Sequence, residues 1–90
     1  MTGKQILIVE DEKLLRWALE QQLARAGHAV LSAPDLATAA THLAGHQPDV
    51  VLLDVVMPEI DGLEVLRQIR DEPMPPEVIV ITGNGTIETA

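Results

Sequence analysis

The stretch VVLLD at residues 50–54 decides the fold, because four apolar residues without polar alternation run directly into an aspartate. Two further runs have the same character, ILIV at residues 6–9 and VIVI at residues 78–81. Short apolar runs rich in β-branched residues are typical of strands that are covered on both faces, as in a parallel sheet between helices. A weaker candidate, residues 29–31, follows Gly27 and suits an edge strand.

Three helical patterns lie between these runs. In residues 13–26 the apolar side chains recur at the spacing of one helix face, and Gly27 follows, where helices often end on a left-handed residue. Residues 35–44 begin at Asp35, a suitable N-cap or first-turn acid, and residues 63–70 repeat the apolar spacing before a proline-rich breaker. The three segments therefore predict helices that alternate with the strands.

This alternation predicts one domain over residues 1–90, with the order β-α-β-α-β-α-β and a further helix that begins near Thr86. Alternating strands and helices are typical of an α/β fold with a doubly wound parallel sheet. The 90 residues suffice for one small domain and leave little room for a second.

The composition limits the kinds of partner that this segment can bind. Six Lys and Arg stand against 14 Asp and Glu, a net charge of -8, so the surface repels nucleic acid and suits a cation or a basic protein face. The chain has no cysteine, which excludes disulfides and thiolate metal sites. The first apolar run is too short for a signal peptide or a membrane span, which predicts a cytoplasmic protein without a membrane partner.

Acidic and hydroxyl side chains follow the predicted strands directly. Glu10 and Asp11 follow the first strand, Asp54 ends the third, and Thr82 follows the fourth. In a parallel sheet the carboxyl ends of all strands meet at one edge, so we expect these four side chains to lie close together. Clustered carboxylates without Cys or His ligands suit an oxygen-preferring cation such as Mg²⁺. Glu12 is interpreted instead as a residue that caps the following helix or faces solvent.

Asp54 is the candidate nucleophile of this cluster. It ends a buried strand and is followed by Val55-Val56-Met57-Pro58 rather than by a helix, so helix capping accounts for it poorly. An aspartate beside Mg²⁺ attacks phosphorus without a general base, while the cation neutralises the transferring phosphoryl group. The Thr82 hydroxyl either donates to a phosphoryl oxygen or satisfies the backbone at the end of its own strand.

Three blocks of the sequence have a characteristic order and spacing: ILIVEDE at residues 6–12, VVLLDVVMPEIDG at 50–62 and VIVITG at 78–83. The order and the spacing of these blocks resemble those found in the receiver domain of two-component response regulators. The resemblance covers essentially the whole chain. It implies a flavodoxin-like (CheY-like) fold and a phosphoacceptor signalling domain rather than an enzyme.

The resemblance also implies a role for each site residue. Asp54 would accept a phosphoryl group from a histidine of a sensor histidine kinase, and Glu10 and Asp11 would hold Mg²⁺ together with Asp54. The backbone carbonyl of Val56 would be a further ligand of the metal, and Thr82 would supply the switch hydroxyl.

Two shorter stretches, RWAL at residues 16–19 and TGNGTIETA at 82–90, resemble the nitrogen-regulation type of regulator. This resemblance implies a receiver that precedes a sigma-54-dependent ATPase domain and a DNA-binding helix-turn-helix. DNA would then be contacted only through a C-terminal domain outside this chain. Trp17 lies off the apolar stripe of its helix, where it is either exposed to a partner or packed along the helix side.

The family's last strand, which carries a lysine, and its final helix are not found before Ala90. We therefore expect an incomplete receiver, truncated after the fourth strand and the start of the fourth helix. Residues 78–81 are then expected to form an unpaired edge strand, which favours self-association through strand exchange between copies.

Two other functions remain open at this point. A phosphatase of the haloacid dehalogenase class would need an acid two residues after its nucleophile, where this chain has Val56. A non-phosphorylated interaction module would keep the fold and bind partners only.

His42 and His46 stand one helical turn apart without a third metal ligand, and they are expected to face solvent.

Overall fold

Strands and helices alternate along the chain in the computed structural model, which describes residues 3–54, 62–71, 74–81 and 87–89. The elements are β1 (Gln5–Val9), α1 (Lys13–Arg25), β2 (Ala29–Ala33), α2 (Leu36–Gly45), β3 (Val50–Asp54), α3 (Gly62–Arg70), β4 (Glu77–Ile81) and β5 (Ile87–Thr89). The four predicted strands and the three complete predicted helices are all present. Within the described ranges, no helix has both the length and the apolar character needed to cross a membrane.

The sheet has the strand order β2-β1-β3-β4-β5. β1 pairs in parallel with β2 on one side and with β3 on the other, and β4 pairs in parallel with β3. Along the chain, β2 is added on one side of β1, and β3 and β4 are then added on the other side. The strand order therefore reverses between β1 and β3, which makes their adjacent ends the switch point of a doubly wound fold. Here Val9 pairs with Leu53, so the residues that follow β1 lie beside the end of β3.

The predicted fourth helix is wrong for the residues that the structure describes. Residues 87–89 form β5, which pairs antiparallel with β4 and places Ile87 opposite Ile81, while Thr86 lies outside the described residues. Without β5, the outer edge of β4 would leave backbone donors and acceptors unpaired, and β-branched Ile87 and Thr89 suit a strand. β4 is therefore not the free edge that we expected, and the basis for the predicted self-association is removed.

The buried core is formed mainly by the sheet together with α2 and α3. One buried cluster contains Leu7, Val9, Ala33, Ala39, Val51, Leu53, Ile69 and Val78, and Ile6 and Ile8 of β1 are also buried. α1 packs against β1 and β2 but has no fully buried residue. Trp17 of α1 is 59% exposed, so its ring is open to solvent, and its contact with a partner stays a prediction.

The ends of the helices confirm the capping predictions. The Glu12 carboxylate accepts hydrogen bonds from two backbone N–H groups in the first turn of α1, at 3.3 and 3.1 Å. α1 ends before Gly27, whose φ of 96° lies in the left-handed region that favours glycine. Asp35 accepts a bond from the Thr38 N–H at 2.8 Å, and this hydrogen bond lowers the pKa of the Asp35 carboxyl.

Gly3 lies where the start of the chain passes the turn after α1, and a Cβ at this position would overlap the backbone carbonyl of Gly27. We expect Gly3→Ala to lower the free energy of unfolding by about 1–3 kcal/mol, because backbone atoms yield less easily than side chains. Gly45→Ala is the matched control, since its Cβ would meet nothing within 4 Å. Urea unfolding of both variants checks the prediction, and equal effects would contradict it.

Candidate functional site

Three carboxylates meet where β1 and β3 end side by side. Glu10 and Asp11 follow β1, and Asp54 is the last residue of β3. One carboxylate oxygen of each lies within 4.8 Å of the others. Glu10 is buried, Asp54 is half-buried and Asp11 is exposed. The predicted convergence of these three residues is therefore confirmed, and the cluster opens from a buried floor to solvent.

Glu10 is the floor of the cluster and is only 1% exposed. Its backbone N–H donates to the carbonyl of Ala33 at the end of β2, at 3.0 Å. Its Oε2 accepts a hydrogen bond from the Glu12 N–H, also at 3.0 Å. Its Oε1 is buried and has no hydrogen-bond partner among the described residues. A buried carboxylate oxygen without a partner is costly, so the site has an unused ligand atom.

Burial raises the pKa of the Glu10 carboxyl to about 7. A side-chain hydrogen bond with Asp54 and the repulsion of its negative charge raise this pKa further, while the Glu12 N–H lowers it. Without a cation, Glu10 is therefore partly protonated at neutral pH, because crowded carboxylates disfavour one another's ionised forms.

The donor set fits a hard, oxygen-preferring cation. Within the described ranges, Glu10, Asp11 and Asp54 are the only group of three or more His, Cys, Asp or Glu side chains close enough to share an ion. All three offer carboxylate oxygen, which is the ligand that Mg²⁺ and Ca²⁺ prefer. A cation here would satisfy the buried Glu10 Oε1 and offset the mutual repulsion of the carboxylates.

Two predicted site residues, Val56 and Thr82, lie outside the described residues. The nearest described neighbour of Thr82 is Ile81, which pairs with Asp54 in the register of β3 and β4. The roles assigned to Val56 and Thr82 therefore stay predictions.

The two histidines of α2 do not behave alike. His46 is exposed as expected, but His42 is half-buried and its Nε2 lies 3.0 Å from the carbonyl oxygen of Ser32. The expectation that His42 faces solvent is therefore wrong, because α2 packs against β2 and brings the ring to a strand carbonyl. The ring centroids of His42 and His46 are 6.1 Å apart.

Arg16 is the residue of this region that sequence reasoning missed. Its Nη1 donates to the backbone carbonyl of Glu10 at 2.9 Å, a contact for which the helical pattern of residues 13–26 gave no indication. The sequence feature that could have indicated this contact is the position of Arg16 in the first turn of α1. From there a long side chain can reach back to the loop that follows β1.

Comparison with known proteins agrees with this geometry. The family model of the response regulator receiver domain matches residues 6–90. The chain belongs to the receiver-domain family. The receiver is 38% identical over 82 residues to the response regulator MprA of Mycobacterium sp. (strain KMS), covering 91% of this chain and 36% of that protein. It is 40% identical over 86 residues to the C4-dicarboxylate transport transcriptional regulatory protein DctD of Pseudomonas aeruginosa, covering 96% and 19% respectively.

Solved structures share the fold of this receiver. The response regulator TrrA from Thermotoga maritima, solved in complex with Mg²⁺-BeF, is 34% identical, with a TM-score of 0.79 over 88% of this chain and 69% of that one. The BeF3-activated receiver domain of nitrogen regulatory protein C is 38% identical, with a TM-score of 0.77 over 92% and 67%. This receiver spans only about a third of the length of curated relatives such as MprA.

Family membership decides between the functions that the sequence left open. Receiver domains are phosphoacceptor signalling domains that interact with sensor histidine kinases, and the curated relatives are response regulators and transcriptional regulators. The haloacid dehalogenase phosphatase and the non-phosphorylated module are not favoured.

Proposed function

We propose that Asp54 of this receiver accepts a phosphoryl group from a phosphohistidine of a sensor histidine kinase, with Mg²⁺ as cofactor. The observation that carries the proposal is the meeting of three carboxylates at the adjacent ends of β1 and β3, within 4.8 Å of one another. Glu10, Asp11 and Asp54 would hold the Mg²⁺, with the backbone carbonyl of Val56 as a further ligand.

The three carboxylates differ in ways that favour Asp54 as the nucleophile. Glu10 is buried, and its raised pKa of about 7 leaves it partly protonated when no cation is bound. Asp11 lies in the loop after β1 and is exposed. Asp54 is half-buried at the end of a paired strand, where the backbone is held but the side chain is still accessible.

The transfer needs few groups from the protein. A carboxylate oxygen of Asp54 would attack phosphorus, the P–N bond to the donor histidine would break with its electron pair going to the imidazole, and an acyl phosphate would form. When it is bound, Mg²⁺ would neutralise negative charge on the phosphoryl group during the transfer. Thr82, which follows Ile81 opposite Asp54, would then donate its hydroxyl to a phosphoryl oxygen as the switch residue.

The output of the whole protein is a further part of the proposal. DctD is a transcriptional regulatory protein by name, and the 38% identity to the receiver of nitrogen regulatory protein C supports the nitrogen-regulation type suggested by residues 16–19. We infer a cytoplasmic regulator in which DNA is bound, and transcription by sigma-54 polymerase controlled, through domains other than this receiver. Its net charge of -8 agrees with a receiver that does not itself contact DNA.

A phosphoryl mimic tests the proposed function directly. Beryllofluoride with Mg²⁺ should shift backbone NMR signals at residues 10–12 and 53–54, while signals at the opposite ends of the strands, at Gln5 and Val50, stay in place. Beryllofluoride without Mg²⁺ is the control and should produce no such shifts. An unchanged spectrum with both additives present would contradict the proposal.

Asp11→Asn should weaken Mg²⁺ binding about 10-fold or more, because it removes one anionic ligand from a site that holds a doubly charged ion. Asp71→Asn is the matched control, since Asp71 is an exposed carboxylate after α3. Isothermal titration calorimetry at pH 7.5 or so measures both affinities. Equal Mg²⁺ affinity in the two variants would show that Asp11 is not a ligand.

A further inference from the structure

Arg16 connects α1 to the loop that carries the acidic cluster. From the first turn of the helix its side chain reaches back six residues and donates from Nη1 to the Glu10 backbone carbonyl at 2.9 Å. The Arg16 side chain is half-buried, so this bond is shielded in part from water. Hydrogen bonds from a charged donor are stronger than those between neutral groups.

The loop from Glu10 to Glu12 is held from several sides. The Glu10 N–H is bound to Ala33 of β2, and the Glu10 carbonyl accepts from Arg16. The Glu12 N–H donates to the Glu10 carboxylate, and the Glu12 carboxylate caps α1. Arg16 therefore supplies the bond that joins the Glu10 carbonyl to the helix.

The carbonyl that Arg16 holds belongs to the peptide unit between two of the proposed metal ligands. This peptide is planar, so fixing its oxygen restrains the ψ angle of Glu10 and the φ angle of Asp11. These two angles set the direction of one carboxylate relative to the other. Arg16 thus acts on the spacing of the Glu10 and Asp11 side chains without touching the cation.

We propose that Arg16 is a positioning residue that preorganises the Glu10–Asp11 loop for a divalent cation. This inference rests on the proposed function, in which the same carboxylates bind Mg²⁺. Groups that orient metal ligands through hydrogen bonds typically change metal affinity by about 10–100-fold when they are removed.

A purely electrostatic role for Arg16 predicts the opposite result. The guanidinium is a positive charge next to an acidic cluster, so it repels an incoming cation. If this repulsion were its main effect, removing Arg16 would tighten Mg²⁺ binding. If positioning is its main effect, removing Arg16 weakens Mg²⁺ binding although a repelling charge has gone. The sign of the change therefore separates the two roles.

The experiment compares Arg16→Met with Arg25→Met. Met keeps an apolar stem but has no donors or charge, and Arg25 is an exposed arginine in the last turn of the same helix. We expect Arg16→Met to weaken Mg²⁺ binding about 10-fold by calorimetry, and Arg25→Met to leave it unchanged or slightly tighter. In metal-free protein, hydrogen exchange at the Glu12 amide should become about 10-fold faster in Arg16→Met only.

The outcomes are distinguishable. Unchanged or tighter Mg²⁺ binding by a folded Arg16→Met protein, together with an unchanged Glu12 amide, would overturn the inference. Absence of Mg²⁺ binding by the wild-type chain would overturn the proposed function instead, and Glu12 exchange would still test the role of Arg16.

If Arg16→Met does not fold, Arg16→Lys provides the test, because it keeps the charge but loses the planar donor group. We expect about 3-fold weaker Mg²⁺ binding, and wild-type affinity would contradict the inference.

Discussion

Replacing Asp54 with asparagine is expected to reduce phosphoryl acceptance to background, a loss of about 1,000-fold or more. The amide lacks the anionic oxygen that attacks phosphorus, and neither of the other two carboxylates of the described cluster can substitute for it equally. Glu10 is buried beneath the cluster, and Asp11 lies on a loop rather than at the end of a strand. Incorporation of labelled phosphate from a small P–N donor such as phosphoramidate, with Mg²⁺ present, measures the effect.

Asp71→Asn makes the same chemical change at an exposed carboxylate after α3 and should leave phosphoryl acceptance at the wild-type level. Far-UV circular dichroism establishes that both variants are folded. Substantial labelling of a folded Asp54→Asn protein would mean that the acceptor is a different residue.

Glu10→Gln is expected to stabilise the metal-free receiver at alkaline pH. The pKa of Glu10 rises from 4.5 to about 7 in the folded chain, chiefly through burial. The folded chain therefore binds this proton more tightly than the unfolded chain does. As a result, the free energy of unfolding is highest below the unfolded pKa and falls as the pH rises through the folded pKa. The ionised carboxylate therefore costs the wild-type protein up to about 3 kcal/mol at pH 8 or so, which glutamine avoids.

Urea unfolding in the presence of a chelator checks this prediction at about pH 5 and about pH 8. The difference in unfolding free energy between Glu10→Gln and wild type should be small at the lower pH and largest at the higher one. Glu77→Gln, at the exposed start of β4, is the control and should show no such pH dependence. Added Mg²⁺ should stabilise the wild type more than Glu10→Gln, since glutamine offers no charged ligand. A pH-independent difference would contradict the role given to Glu10.

The sheet and the acidic cluster could be predicted from local sequence features. The apolar runs that became β1, β3 and β4 show no polar alternation, and that pattern identifies strands covered on both faces. Once parallel pairing is inferred, the residues at the strand ends must share one edge, so Glu10, Asp11 and Asp54 converge without any knowledge of their side-chain conformations.

Other features depend on tertiary contacts that the sequence pattern does not contain. Residues 87–89 form a strand because the edge of β4 is available to pair with them, and local propensity over three residues cannot decide this. His42 turns toward the Ser32 carbonyl because α2 packs on β2. The bond from Arg16 to Glu10 depends on the path of the loop between β1 and α1, which helical periodicity does not describe.

Phosphoryl acceptance by Asp54 is tested most directly by mass-spectrometric mapping of the phosphorylated residue. The receiver is incubated with phosphoramidate and Mg²⁺, and the acyl phosphate is then reduced with borohydride, which converts a phosphorylated aspartate to homoserine. We expect one modified position, Asp54, and no modification when Mg²⁺ is removed by a chelator. Modification at Asp11 or at another residue, with Asp54 unchanged, would contradict this expectation.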